Sequence, residues 1–285
     1  MQTLNLIGAG RVGQTLARLW QDSGAFTLQD VLTNSAASAQ AACRFIGAGT
    51  PVTQSAQMRP AEVWMLAVPD AQIAAVAGAL ARHAPTHKAP APIAFHCSGA
   101  QGGALLLPLA DLGWQTASAH CILSFANAEV AMAQFPGTAC ALEGDAAAIT
   151  ALHTAFTAIR AHCFEVKSQH KLLYHAAAVF ATNFLPVLQS VAEAAWLASG
   201  VPAALLPGLR AALLHNAVAN ITRLGPAGAL TGPAARGDVA AIATQARAVT
   251  QWDAQAGAAY EALSALALRL AKASSESSAT PATQR

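Results

Sequence analysis

Short apolar runs alternate with amphipathic stretches from the start of the chain to about residue 161. The run at residues 3–7 predicts a strand, and the periodic stretch from Arg11 predicts a helix. Residues 27–32 repeat the strand pattern and a second helix follows from Ala36. The rhythm continues with an apolar run at 63–68 closed by Pro69-Asp70, a helix through Ala81, and a run at 93–97. Further short strands are predicted at 114–119, 138–142 and 162–166. Strand and helix in strict alternation predict an α/β domain built on a parallel, doubly wound sheet. After residue 166 the pattern changes to long alanine- and leucine-rich helical segments, broken at Gly200-Val201-Pro202, Gly225-Pro226 and Thr231-Gly232-Pro233. The expected organisation is therefore a Rossmann domain over 1–166 and an all-helical domain over 167–272. The Ser/Ala/Thr-rich tail at 273–285 has no apolar face and is expected to stay disordered.

Composition narrows the function classes. Hydrophobic residues make up 54% of the chain and charged residues only 11%, but much of the apolar share is alanine, which suits close-packed helices. The most membrane-like stretch, 172–197, contains His175, Asn183, Pro186, Gln189 and Glu193, each costly at bilayer depth, so no membrane span is expected. Sixteen basic against fourteen acidic residues, scattered along the chain, leave no footprint for nucleic acid. Five cysteines without a CxxC pair argue against a disulfide framework and a structural zinc site. With no secretory pattern at the N-terminus, a cytoplasmic location is expected.

The strongest motif is Gly8-Ala9-Gly10-Arg11-Val12-Gly13, which places GxGxxG between the first strand and the first helix. Gly8 permits a tight turn, Gly10 lets backbone approach a pyrophosphate, and Gly13 allows the helix to pack closely on the strand. The helix N-terminus favours the phosphate charge. The end of the second strand reads Thr33-Asn34-Ser35, with Ser38 beyond, where NAD-specific sites carry an acidic residue. This points to NADP, with NAD possible, and Arg11 and the hydroxyls are candidates for a 2′-phosphate. Val68 and Pro69 are placed at a strand end to flank the cofactor, and Ser98 at the next.

Reduction of a carbonyl or imine needs a hydride, a proton, and hydrogen bonds at the developing charge. Lys171, Tyr174 and His175 open a long helix, with Asn183 about two further turns along a similar face, and are the first candidates. Structural roles for this stripe, at the surface or inside the core, stay open. His96 and Ser98 alternate to one side of a strand end and form a second set, with a backbone-satisfied histidine as the equal alternative. Asp70 can flank the nicotinamide or cap the next helix. His120 completes the candidates. Three His-Cys dipeptides, beginning at His96, His120 and His162, place neighbouring side chains on opposite strand faces and predict no metal site. Late in the chain Asp238 is placed to cap a helix, and Arg236 is a candidate for an anionic group.

The segments GAGRVG, AVPD, FHCSGA, the HxxxSF of His120 to Phe125, KxxYHAAAVFATN and LTGPAARGD together resemble the Rossmann-like proteins that carry a C-terminal DUF2520 domain. That group is similar in plan to pyrroline-5-carboxylate reductase, the hydroxyacid dehydrogenases and the F420-dependent NADP oxidoreductases. The resemblance implies an N-terminal Rossmann domain and a helical domain of the 6-phosphogluconate-dehydrogenase C-terminal type that dimerises. In the hydroxyacid dehydrogenases a lysine is followed one turn later by an asparagine. Lys171 with His175 looks like that pair with histidine substituted. A proline at the position of Cys121 and an arginine near Asn34, common in the group, are missing here.

Three functions follow as expectations. The first is an NADP-linked oxidoreductase acting on a small polar metabolite as a homodimer. The second is a dinucleotide-binding sensor without turnover. The third is a structural dimer with a vestigial groove.

Overall fold

The computed structural model describes residues 1–84 and 90–279. The chain separates into two compact units, Met1–Thr182 and Asn183–Arg285. The first carries eight strands: β1 (Gln2–Ile7), β2 (Phe26–Leu32), β3 (Thr50–Val52), β4 (Val63–Leu66), β5 (Ile93–His96), β6 (Gln115–Cys121), β7 (Ala139–Gly144) and β8 (His162–Glu165). Its helices are α1 (Arg11–Ser23), α2 (Ala36–Ile46), α3 (Ile73–Ala81), α4 (Leu107–Ala110), α5 (Ala128–Gln134), α6 (Ala146–Ala158) and α7 (Lys171–Ala178).

The strands form one sheet in the order β3-β2-β1-β4-β5-β6-β7-β8. Pairing is parallel throughout except between β6 and β7, where His120 faces Ala141 and Cys121 faces Cys140 in an antiparallel ladder. This corrects the all-parallel expectation. Strand order reverses at β1 and β4, and the crevice beyond the carboxyl ends at such a point is where ligands sit in open α/β sheets.

Alternation along the strands separates two apolar layers. Val63 and Met65 face Trp20, Phe95 and Phe156 on one side, while Trp64 and Leu66 face Ile73, Leu80 and Trp114 on the other. Trp20 is the hinge pin of the first layer. Its ring packs edge-on against Phe26, Phe95 and Phe156, and its Nε1 donates to the Ala155 carbonyl at 3.0 Å. The central strands β4 and β5 are buried along their whole length, as the middle of a doubly wound sheet covered on both faces requires.

The second unit contains α8 (Phe184–Ala198), α9 (Leu206–Ala229), α10 (Gly232–Ala235), α11 (Val239–Trp252) and α12 (Ala254–Ala279). Asp238 caps α11 as expected, accepting from the Ala241 amide at 3.0 Å. Two boundaries differ from the sequence-based ones. The compact sheet-bearing unit runs to Thr182 rather than 166, because β8 leads through a 3-10 turn at Ser168–His170 into α7, whose first residue, Lys171, is hydrogen-bonded to β6 through Ser118. Helix α12 continues through residues 273–279 of the expected tail, and 280–285 lie outside the described residues. The helical run Ser168–Ala198 is, by length and composition, long and apolar enough to cross a membrane.

Candidate functional site

Two crevices meet the carboxyl ends of the parallel strands, and the segment after β4 helps to wall both. The larger, of about 610 Å³, is lined by Gly8, Ala9 and Gly10, by Asn34 and Ser38 after β2, and by Val68 and Pro69 after β4. Gly8 has φ of +84°, and a Cβ there would lie 2.6 Å from the Ala67 carbonyl oxygen. A Cβ on Gly13 would lie 2.6 Å from the Gly8 carbonyl oxygen, so both glycines are fixed by the fold itself. Gly10 is different. Its backbone is extended, at φ −69° and ψ −172°, and a Cβ would meet nothing within 4 Å. The fold gives no reason for glycine there, whereas close approach of a ligand does. Gly10 is also the N-cap of α1 without any side-chain cap, which leaves the helix N-terminus open to an anion.

Other expected cofactor residues sort themselves by geometry. Thr33, Asn34 and Ser38 line the crevice, as do Thr53 and Ser55, which the sequence did not single out. Ser35 does not. It is the N-cap of α2, accepting from the Ser38 amide at 3.2 Å and donating to the Ser38 hydroxyl at 2.9 Å. Arg11 is exposed at the first position of α1 and is not on the crevice wall, and Val12 faces the second crevice instead. No charged side chain lines the larger crevice among the described residues.

The second crevice, of about 280 Å³, is lined by Asp70, Ser98, Gly99, His120 and His175 together with apolar groups from α1 and the loop after β6. Asp70 does not cap α3, whose N-cap is Gln72; it opens the short 3-10 turn Asp70–Gln72 that precedes it. The Asp70 carboxylate accepts the Ser98 hydroxyl proton at 2.6 Å. The same hydroxyl oxygen accepts from the amides of Ala100 and Gln101 at 3.3 and 3.0 Å, so Ser98 holds its loop and orients Asp70. His96 is fully buried with both ring nitrogens committed to backbone. Nδ1 accepts the Ser98 amide at 3.2 Å, which leaves Nε2 to donate to the Gly102 carbonyl at 3.0 Å. Burial pushes its pKa down, against the Gly102 bond. The structure thus gives His96 a loop-holding role and no face on the crevice.

His120 and His175 converge on Gly99. A Cβ on Gly99 would lie 2.5 Å from Nδ1 of His175 and 2.8 Å from Nε2 of His120. The two rings sit edge to face with centroids 5.5 Å apart. On its far side, His120 Nδ1 shares a 2.8 Å hydrogen bond with the Tyr174 hydroxyl. Burial, then the neighbouring His175 and Lys171, lower the His120 pKa to about 4. Burial also raises that of the Tyr174 phenol, so this pair is neutral at neutral pH. His175 Nδ1 is buried and has no hydrogen-bond partner among the described residues, an uncommon state for a buried polar atom.

Lys171, foremost among the expected catalytic residues, is 2% exposed and lies behind this wall. Its Nζ donates to the Ser118 hydroxyl at 2.6 Å and to the Ser98 carbonyl at 3.2 Å. Ser118 in turn donates to Glu143 Oε2 at 2.9 Å, and Glu143 also accepts from the Gly103 amide at 2.8 Å and the Ser168 hydroxyl at 2.6 Å. Burial raises the Glu143 pKa, but the three donors and Lys171 outweigh it and the carboxyl falls below its ordinary value. Burial lowers the Lys171 pKa against the pull of Glu143 and Asp70. Lys171 is a positioning residue that ties the Ser98-Gly99 loop to β6 and β7. Glu143, Ser118 and Ser168 went unnoticed in the sequence, although a glutamate inside the apolar run 138–143 is a recognisable signal.

Asn183 opens the second compact unit. A π-turn over Val179–Asn183 separates it from His175, so the straight α-helical phase that aligned the two in sequence does not apply. Arg236 ends α10 in the second unit. Among the described residues no three of His, Cys, Asp and Glu gather as a metal site. Burial, then Asp70, pushes the Cys97 thiol up to about 12, which keeps it protonated.

Comparison with known proteins agrees with this architecture. The chain superposes on protein TM1727 of Thermotoga maritima with a TM-score of 0.75 at 23% identity, over 95% of this chain and 99% of that one. A Bacteroides fragilis protein, BF3122, provisionally named an NADP oxidoreductase, superposes with a TM-score of 0.70 at 20% identity, over 94% and 98%. The Plasmodium falciparum pyrroline carboxylate reductase, solved with NADP bound, gives 0.57 at 11% identity, over 95% and 98%. These likenesses establish the fold. No match was found among curated proteins. Residues 2–121 match the Rossmann-like domain family and residues 138–267 match the domain of unknown function DUF2520. The chain therefore joins a Rossmann-like domain to a DUF2520 domain.

Proposed function

We propose that the protein is an oxidoreductase that binds a nicotinamide dinucleotide along the larger crevice and acts on a small polar substrate in the smaller one. The observation that carries this reading is Gly10, a position where the fold leaves room for a side chain and none is present. Gly8, Ala9, Gly10 and the uncapped start of α1 would hold the pyrophosphate. Thr33, Asn34 and Ser38 would face the ribose end, and the lack of a carboxylate there favours NADP over NAD. Such a cofactor, when bound, supplies or accepts a hydride. The chain's own part is to orient substrate between His120 and His175, with Asp70 fixed by Ser98 and the Gly99 loop fixed by Lys171.

Titration with NADPH and with NADH tests the reading without a known substrate. At a hundredfold excess over Kd, a bound dinucleotide stabilises the protein by about 2.7 kcal/mol. The thermal midpoint is expected to rise with NADPH, and less with NADH. Gly10→Val is expected to abolish the rise while the apo protein stays folded, with a midpoint lowered only by the poorer N-cap, because its Cβ meets no protein atom within 4 Å. No shift with either dinucleotide, or an undiminished shift in the variant, overturns the assignment.

The second proposal concerns assembly. Helices α8 and α9 leave Val187, Leu188, Leu213, Val218 and Ile221 exposed, large apolar side chains of the kind that interfaces cover. A homodimer is the expected state, and light scattering should return twice the chain mass of 28.9 kDa. A monomer mass at micromolar concentration removes this part of the reading.

A further inference from the structure

The charges around the smaller crevice say what kind of substrate it can hold. Among its described lining residues Asp70 is the one formal charge, and no lysine or arginine is present. Behind the wall, Lys171 and Glu143 are linked through Ser118 and offset one another, so the carboxylate of Asp70 remains as the excess. His120 is held neutral by burial, and His175 Nδ1 is a buried atom in want of a hydrogen-bond partner. A carboxylate ligand would enter against Asp70 with no lining cation to receive it, and the like charges would oppose its binding.

We propose that this crevice receives a substrate whose reacting end carries a protonated nitrogen, an ammonium or an iminium, with Asp70 as its counterion and His175 as a hydrogen-bond partner. The inference rests on the reading of the crevice as the substrate end of the site. It is consistent with the proton inventory of the wall. Hydride addition to an iminium carbon would move the C=N π pair onto nitrogen and leave a neutral amine. The positive charge is cancelled without any proton donor at the heteroatom. Reduction of a ketone leaves an alkoxide that must be protonated at once, and the histidine beside Tyr174 is a weak proton source at neutral pH, with a pKa lowered to about 4.

Three probes of nearly equal shape separate the possibilities: isobutylammonium, isobutanol and isobutyrate, titrated into the full-length protein and followed by the ring resonances of its histidines. The ammonium is expected to bind at least tenfold more tightly than the alcohol, with isobutyrate weakest, and Asp70→Asn is expected to remove most of that preference. Asp70 is exposed and outside the core, so the variant is expected to fold. Equal binding of the three, preference for isobutyrate, or a preference unchanged by the substitution overturns the proposal. Thermal shift with NADPH on the same samples keeps the two readings apart. Cofactor binding without ammonium preference defeats this inference alone, and ammonium preference without cofactor binding supports it while defeating the oxidoreductase assignment.

Discussion

Replacing Glu143 by glutamine is expected to lower the unfolding midpoint by about 10 °C. Removing one partner from a buried charge pair costs about 3–5 kcal/mol, and a unit of this size shifts by about 2–4 °C per kcal/mol. Glu143 is 8% exposed and its two oxygens accept three donors, from Gly103, Ser118 and Ser168. Glutamine turns an NH2 group toward at least one of those donors and takes away the charge that offsets the buried ammonium of Lys171. A double-mutant cycle identifies the cause. Lys171→Met alone leaves Glu143 without its ammonium, but in the glutamine background the same change also removes the unpaired charge. The two substitutions should therefore couple by 1 kcal/mol or more. A midpoint for Glu143→Gln within about 2 °C of wild type means that Lys171 is buried as the neutral amine, and the relay through Ser118 is then an ordinary hydrogen-bond chain.

That relay shows where sequence reasoning stops. The glycine cradle was legible because its parts are contiguous, and a strand, three spaced glycines and a helix leave few other structures. The strands on either side of it were legible from their apolar runs. Strand direction was not. An apolar strand carries the same pattern whichever way it runs, and the antiparallel turn at β7 is set by pairing with β6. The edge strand β3 was missed since three residues with Pro51 in the middle carry no alternation to detect. For the candidate site, the histidines and lysine were found as residue types, while their division of labour was hidden. His96 and His120 look alike in sequence, each at a strand end before a cysteine. The fold seals both nitrogens of the first with backbone and leaves Nε2 of the second beside Gly99. Lys171 looked like the group that meets substrate, yet its partner Ser118 lies 53 residues earlier and Glu143 joins from a third strand. No local pattern encodes contacts of that separation.

The pH dependence of stability should expose His120 directly. Its folded pKa of about 4 lies below the ordinary 6.5, so the unfolded chain binds the extra proton across that window. The contribution of the neutral ring is therefore fully present above about pH 6.5 and is lost as pH falls toward 4. A shift of that size corresponds to roughly 3 kcal/mol. His96, also lowered by burial, acts with the same sign in the same region, and Glu143 acts below the ordinary carboxylate value. The wild-type curve alone is thus a composite, and the informative quantity is the difference from His120→Gln, which keeps a polar group within reach of Tyr174. Denaturant unfolding between pH 4 and pH 7 is expected to show the variant losing roughly 3 kcal/mol less stability than wild type on acidification. Equal losses in both proteins mean that His120 titrates as a solvated ring. In that case it can become an imidazolium near pH 6.5, the crevice gains a positive charge opposite Asp70, and the argument for a cationic substrate fails with it. A difference of the expected size fixes the ring as neutral throughout the physiological range, which leaves Asp70 as the charge that a ligand entering the crevice must answer.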